Sequence, residues 1–121
     1  MATCNEHGVY TADETLELPR AVKGWRGMGL AEIKLANLGT HWIWATGYQM
    51  FSGNWEGAFS PLADHEAHQA PSRDAAIGAA SEYLRKRLSL RDDADARTVR
   101  AWLDGLVQVI PAQFDLFGAA A

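Results

Sequence analysis

The stretch HWIWATGYQMF, residues 41–51, leaves the backbone little choice. Aromatic and β-branched residues crowd it, and these pack well on a pleated surface but lose rotamer freedom in a helix. A period of two puts Trp42, Trp44, Thr46, Tyr48 and Met50 on one face. His41, Ile43, Ala45, Gly47, Gln49 and Phe51 then share the other. A strand is predicted. Before it, LAEIKLANLG alternates in the same way, with Ala31, Ile33 and Leu35 opposed to Glu32 and Lys34. Residues Asn37 to Thr40 between the two read as a turn. After it, SGN reads as a second turn and WEGAFSPLA as a third strand, stopped by Pro61 because proline cannot donate to a ladder. Three strands joined by short turns predict an antiparallel meander.

The pattern then changes period. DHEAHQAP is polar and reads as a loop. Ser72 is a good N-cap for a first helix, with Asp74 in the first turn and Arg85, Lys86 and Arg87 in the last turns, as the helix dipole favours. Ile77, Ala80, Leu84 and Leu88 recur on one helical stripe. RDDADARTVRAWLDGLVQVIP predicts a second helix, capped by Asp93 or Asp95, with Ala96, Val99, Leu103, Leu106 and Ile110 as its stripe and Pro111 as its end. Strands followed by helices predict an α+β fold, with the three-stranded meander covered on one face by two helices. The domain is expected over residues 25–110. Residues 1–24 are expected to be weakly structured, with at most a short strand or a turn of helix. Residues 111–121 form a tail.

With 121 residues, 48% of them apolar, the chain suits one domain with one modest core. Its formal net charge of -4 gives no global attraction for a phosphate backbone. The single cysteine, Cys4, rules out a disulfide within the chain or a cysteine-built zinc site. No apolar run is long enough for a membrane span. The first residues lack the basic and apolar regions of a signal peptide, so a cytoplasmic location is expected.

The aromatic stripe Trp42, Trp44 and Tyr48 has two readings. It can stack nucleic-acid bases, or it can pack under the alanine-rich helices; packing is expected, because small helix residues leave room for large sheet residues. Trp25 and Trp55 sit in glycine-rich turns and are expected at the surface, where they can mark a contact patch. Arg85, Lys86 and Arg87 are the candidate nucleic-acid contacts. The competing reading is helix-end complementarity plus pairing with Asp92, Asp93 and Asp95. His65 and His68 lack the spacing of a helical zinc pair, so no metal or other cofactor is expected. No nucleophile elbow, phosphate-binding loop or dinucleotide fingerprint occurs, and no catalytic residue is assigned.

The tail carries the most specific signal. Gln113-Phe114-Asp115-Leu116-Phe117 resembles the bacterial sliding-clamp-binding pentapeptide, Gln-Leu-(Ser/Asp)-Leu-Phe. Four of its five positions match, and Phe114 replaces the usual leucine. The resemblance implies that Leu116 and Phe117 enter a hydrophobic cleft on the clamp. It implies that Gln113 fixes register through its amide and that Asp115 faces the rim. A few apolar anchors dominate small interfaces of this kind.

The expected function is thus a small non-enzymatic adaptor in DNA metabolism. Its tail would bind the sliding clamp, and its folded domain would engage DNA or a DNA-handling protein complex. The alternative is an inhibitor encoded by a phage or mobile element, of the anti-restriction or anti-CRISPR type. That reading requires Glu56, Asp64, Glu66, Asp92, Asp93 and Asp95 to form one continuous acidic face. The element order is also loosely similar to the double-stranded-RNA-binding fold. SRDAA at the start of the first helix lacks that family's basic motif, so no RNA function follows.

Overall fold

The structure is a computed structural model; it describes the backbone of residues 3–118 and the side chains of residues 3–106. The fold is α+β, an antiparallel sheet followed by two helices. Strands β1 (Glu14–Leu18), β2 (Ala31–Asn37), β3 (Trp42–Met50) and β4 (Glu56–Phe59) lie side by side in chain order. The predicted meander is therefore β2-β3-β4, and the sheet is wider than predicted. β1 adds an edge strand to β2, with Leu16 opposite Ile33. It falls within the segment expected to be weakly structured. A short strand β5 (Gln69–Ala70) adds to β3 beyond the end of β4, with Ala70 opposite Trp42. A single turn of 3-10 helix, Glu66–His68, precedes it, so the stretch read as a loop also contributes to the sheet.

The register follows from burial. Ile33 lies opposite Thr46 and Leu35 opposite Trp44, so the apolar members of β2 and β3 fall on one face. A slip of one residue would turn Ile33 and Leu35 to the other side. Helix α1 (Arg73–Arg87) lies on that face. Ser72 caps α1 by accepting a hydrogen bond from the Ala75 N–H at 3.1 Å. Ile77, Ala80, Leu84 and Leu88 are all buried, as the stripe predicts. Helix α2 (Ala94–Gly118) packs on α1 and buries Ala96, Val99 and Leu103 in the same core. Trp44 and Tyr48 are buried there and Trp42 packs at the margin, so the aromatic stripe is core, not a stacking platform. Pro111 does not bound α2, whose limits run on to Gly118. Proline removes one intrahelical hydrogen bond, which weakens a helix without always stopping it.

The opposite face is only half covered. Ala36, Ile43, Ala45 and Leu62 form a small second core there, closed by Tyr10, Ala12 and Leu38. A backbone hydrogen bond from Tyr10 to Leu62 O, 2.7 Å, ties the N-terminal segment to this cover. At the other end of the same face Phe59 lies over Gly47, where an added Cβ would stand 2.7 Å from its ring. The Trp55 ring similarly approaches Gly57. Trp55 and Phe59 remain 63% and 57% exposed.

Candidate functional site

The pairing of Leu18 with Ala31, Ala31 with Tyr48 and Met50 with Glu56 brings two connections to one end of the sheet. These are the β1–β2 loop, residues 19–30, and the β3–β4 hairpin, residues 51–55. The loop is closed tightly at its base. Leu30 N donates to Leu18 O at 2.8 Å, and a Cβ on Gly29 would stand 2.3 Å from that same carbonyl oxygen. Only glycine fits such an approach. Within the loop, Trp25 N donates to Val22 O at 2.9 Å and the indole Nε1 to Met28 O at 2.8 Å. Gly24 and Gly27 turn the chain with φ of 77° and 128°, values that other residues rarely adopt.

The Arg20 guanidinium is held between two rings. Its Cζ lies 3.8 Å from the Phe51 centroid and 4.3 Å from the Trp25 ring. Trp25 and Phe51 meet edge to face at 5.2 Å. Lys23 and Arg26 are exposed, and Trp25 keeps part of its ring open to solvent beside these contacts. None of Arg20, Lys23 and Arg26 has an ion-pair partner among the described residues. Behind Arg20 a cleft of about 320 Å³ opens between the loop and α2. Val22, Leu30 and Phe51 give it apolar walls; Ser52 and Thr98 add hydroxyls.

The hairpin is locked to α2 by an ion network. Arg91 donates to Asp93 at 2.8 Å, to Glu56 at 3.2 Å and to Ser52 O at 2.8 Å. The Asp95 carboxylate accepts from the N–H groups of Phe51 and Ser52 at 2.7 and 2.9 Å. In return the Ser52 hydroxyl accepts from Asp95 N at 2.9 Å and donates to Asp93. The start of α2 is thus satisfied by Ser52 from another element, while the carboxylate of Asp95 serves the hairpin. Hydrogen bonds from Arg91 and Ser52 hold the Asp93 carboxyl far below the usual carboxylate range. Glu56 is lowered chiefly by the Tyr48 hydroxyl, which donates to it at 2.7 Å, and further by Arg91. Burial and the Glu56 hydrogen bond raise the Tyr48 phenol.

The candidate basic run is mostly engaged. Arg85 pairs with Asp104 at 2.5 Å, and Arg87 donates to the Tyr48 hydroxyl at 3.3 Å. Lys86 is exposed, with no ion pair among the described residues. Arg100 donates to the Leu88 and Arg91 carbonyls, at 3.1 and 2.8 Å, and to Asp92 at 3.2 Å. These cations fasten the α1–α2 connection.

At the far end of β3, His41 Nε2 meets Asp64 at 2.8 Å and its Nδ1 meets the Thr40 hydroxyl at 2.8 Å. Gln69 donates to the same Asp64 oxygen at 2.8 Å. The hydroxyl–imidazole–carboxylate order is that of a nucleophilic relay. Here both end groups are exposed, and the hydrogen bonds pin residues 40–41 to the segment leading into β5. His65 and His68 make local structural contacts. The His65 Nδ1 accepts from Ala67 N at 3.2 Å. The His68 ring stacks on Trp44 at 4.1 Å, and its Nδ1 meets Trp44 O at 2.9 Å. Among the described residues no group of three His, Cys, Asp or Glu is placed to hold a metal ion.

The carboxylates fall into two groups. Glu56 and Asp93 share Arg91, with Asp92 and Asp95 beside them. Asp64 and Glu66 lie at the opposite end of β3, a nine-residue strand spanning roughly 30 Å. Gln113, Phe114, Asp115, Leu116 and Phe117 lie outside the residues whose side chains are described.

The sequence alone marks no site at Arg20, Lys23 and Arg26. The signal it carries is that no acidic residue occurs between Glu17 and Glu32. Among the described residues no helix is long and apolar enough to cross a membrane. No family model, curated protein or solved structure matches the chain.

Proposed function

We propose that the protein is a non-enzymatic adaptor in DNA metabolism that docks on the bacterial sliding clamp through Gln113, Phe114, Asp115, Leu116 and Phe117. The observation carrying this reading is the pentapeptide itself, QFDLF, with four matched positions near the end of the chain. Leu116 and Phe117 are the apolar anchors, and Gln113 sets the register. Pro111 just upstream supports the role. An interior proline costs a helix about 3 kcal/mol, so the last turns of α2 can open to present the peptide at little expense. The adaptor acts in the cytoplasm, where the clamp is found.

The separation of the carboxylates gives the acidic-decoy alternative no support, because that reading needs one continuous face. The adaptor reading is tested by titrating purified clamp with the full chain and with Leu116→Ala/Phe117→Ala. Saturable binding by the wild type and at least a tenfold loss in the double variant are expected. Equal binding by both would remove the docking role.

A further inference from the structure

We propose that the β1–β2 loop, residues 19–30, is a binding site for single-stranded nucleic acid. Arg20, Lys23 and Arg26 would contact the phosphates, and Trp25 would stack a base. The inference stands on the loop and is independent of the tail.

Charge sets the loop apart. In a protein of net charge -4, most arginines are spent on carboxylates or carbonyls of the fold. The loop is the exception. Three cations sit within seven residues without an acidic neighbour in the loop, and none is paired among the described residues. Unspent cations held on a rigid base attract an anion at no cost in broken ion pairs.

An aromatic ring lies beside these charges. Arg20 covers one side of Trp25, yet the tryptophan keeps 36% of its surface exposed. A base can stack on what remains, and the adjoining guanidinium stays within reach of its phosphate. Trp55, 63% exposed on the hairpin at the same end of the sheet, offers a second platform farther along the strand. The cleft behind Arg20 is walled by Val22, Leu30 and Phe51 and also holds the Asp95 carboxylate, whose Oδ2 accepts from Phe51 N and Ser52 N, so a strand is placed along the outer, cationic side of the loop and not in the cleft. Cations interleaved with tryptophan distinguish a single strand from other anions. An acidic protein surface would use the charges and have no need of the exposed indole. A duplex hides its base faces, and this short loop has neither the helix nor the two-stranded ribbon that enters a major groove.

The test is fluorescence anisotropy with a labelled oligothymidylate, using the full chain. The wild type is expected to bind at low salt, with log affinity falling against log salt at a slope near about -2, for three phosphate contacts. Lys23→Glu/Arg26→Glu is expected to lose at least tenfold in affinity with an unchanged thermal midpoint, since both side chains are exposed and unpaired in the described structure. Trp25→Ala is expected to lose about 5- to 150-fold, the range of one stacked base. Clamp binding by the Lys23→Glu/Arg26→Glu chain should be unchanged, which separates this inference from the tail reading. The inference is overturned by no binding at low salt, or by equal affinity of the charge-reversed chain. Tighter binding of a duplex of equal length, or of polyglutamate, would overturn it as well.

Discussion

Single residues decide how the β3–β4 hairpin meets α2. One carboxylate oxygen of Asp95, Oδ2, accepts from both Phe51 N and Ser52 N, two donors that no strand partner satisfies. Asp95→Ala is expected to cost about 2 kcal/mol in urea unfolding, the range for hydrogen bonds to a charged group. Asp93 and Glu56 make the same junction sensitive to acid. Both carboxyls are lowered in the folded protein, so their contribution is complete above the ordinary carboxylate range near about pH 4. It is lost as pH falls through that range toward their folded values, because the unfolded chain then binds protons more readily. The thermal midpoint should therefore begin to drop below about pH 5 and keep falling past about pH 3, and Asp93→Asn should flatten that drop. Ser81 offers the opposite case. Its hydroxyl is buried with no partner among the described residues. Ser81→Ala removes an unsatisfied group and adds helix propensity, so a gain of about 1 kcal/mol is expected by the same unfolding measurement.

At the scale of elements, legibility followed periodicity. The alternation in β2 and β3 and the 3.6-residue stripes of α1 and α2 were readable because burial repeats at fixed spacing. β1 was not, although TLEL alternates. It is an edge strand of five residues whose Leu16 and Leu18 are only half-buried, so little apolar contrast marks it. β5 has two residues, too short for any period to show. The 19–30 loop was hidden for another reason. Its glycines read as punctuation, while its meaning depends on Phe51, which lies far along the sequence and reaches Arg20 only through the sheet. Gly29 is where this element can be broken cleanly. Gly29→Ala would push a methyl into Leu18 O and the Pro19 backbone, and a loss of about 1–3 kcal/mol is expected from thermal unfolding.

Across the whole molecule, the chemistry is divided between a folded body and a tail. The body is closed on its helix-covered face, pinned by histidine contacts at one end of β3 and by the Arg91 network at the other. Three cations without an ion pair among the described residues, Arg20, Lys23 and Arg26, share one loop at the Arg91 end. The tail carries the pentapeptide QFDLF, proposed above as a docking sequence. If both proposed attachments exist, they would reinforce each other, since a body held at the clamp would be at raised effective concentration for nucleic acid nearby. The most direct check of this account is a calorimetric titration of purified sliding clamp with the full chain and with Leu116→Ala/Phe117→Ala. The account predicts saturable heat for the wild type that disappears in the variant, with both chains melting at the same temperature. Identical heats from the two, or none from the wild type, would contradict it.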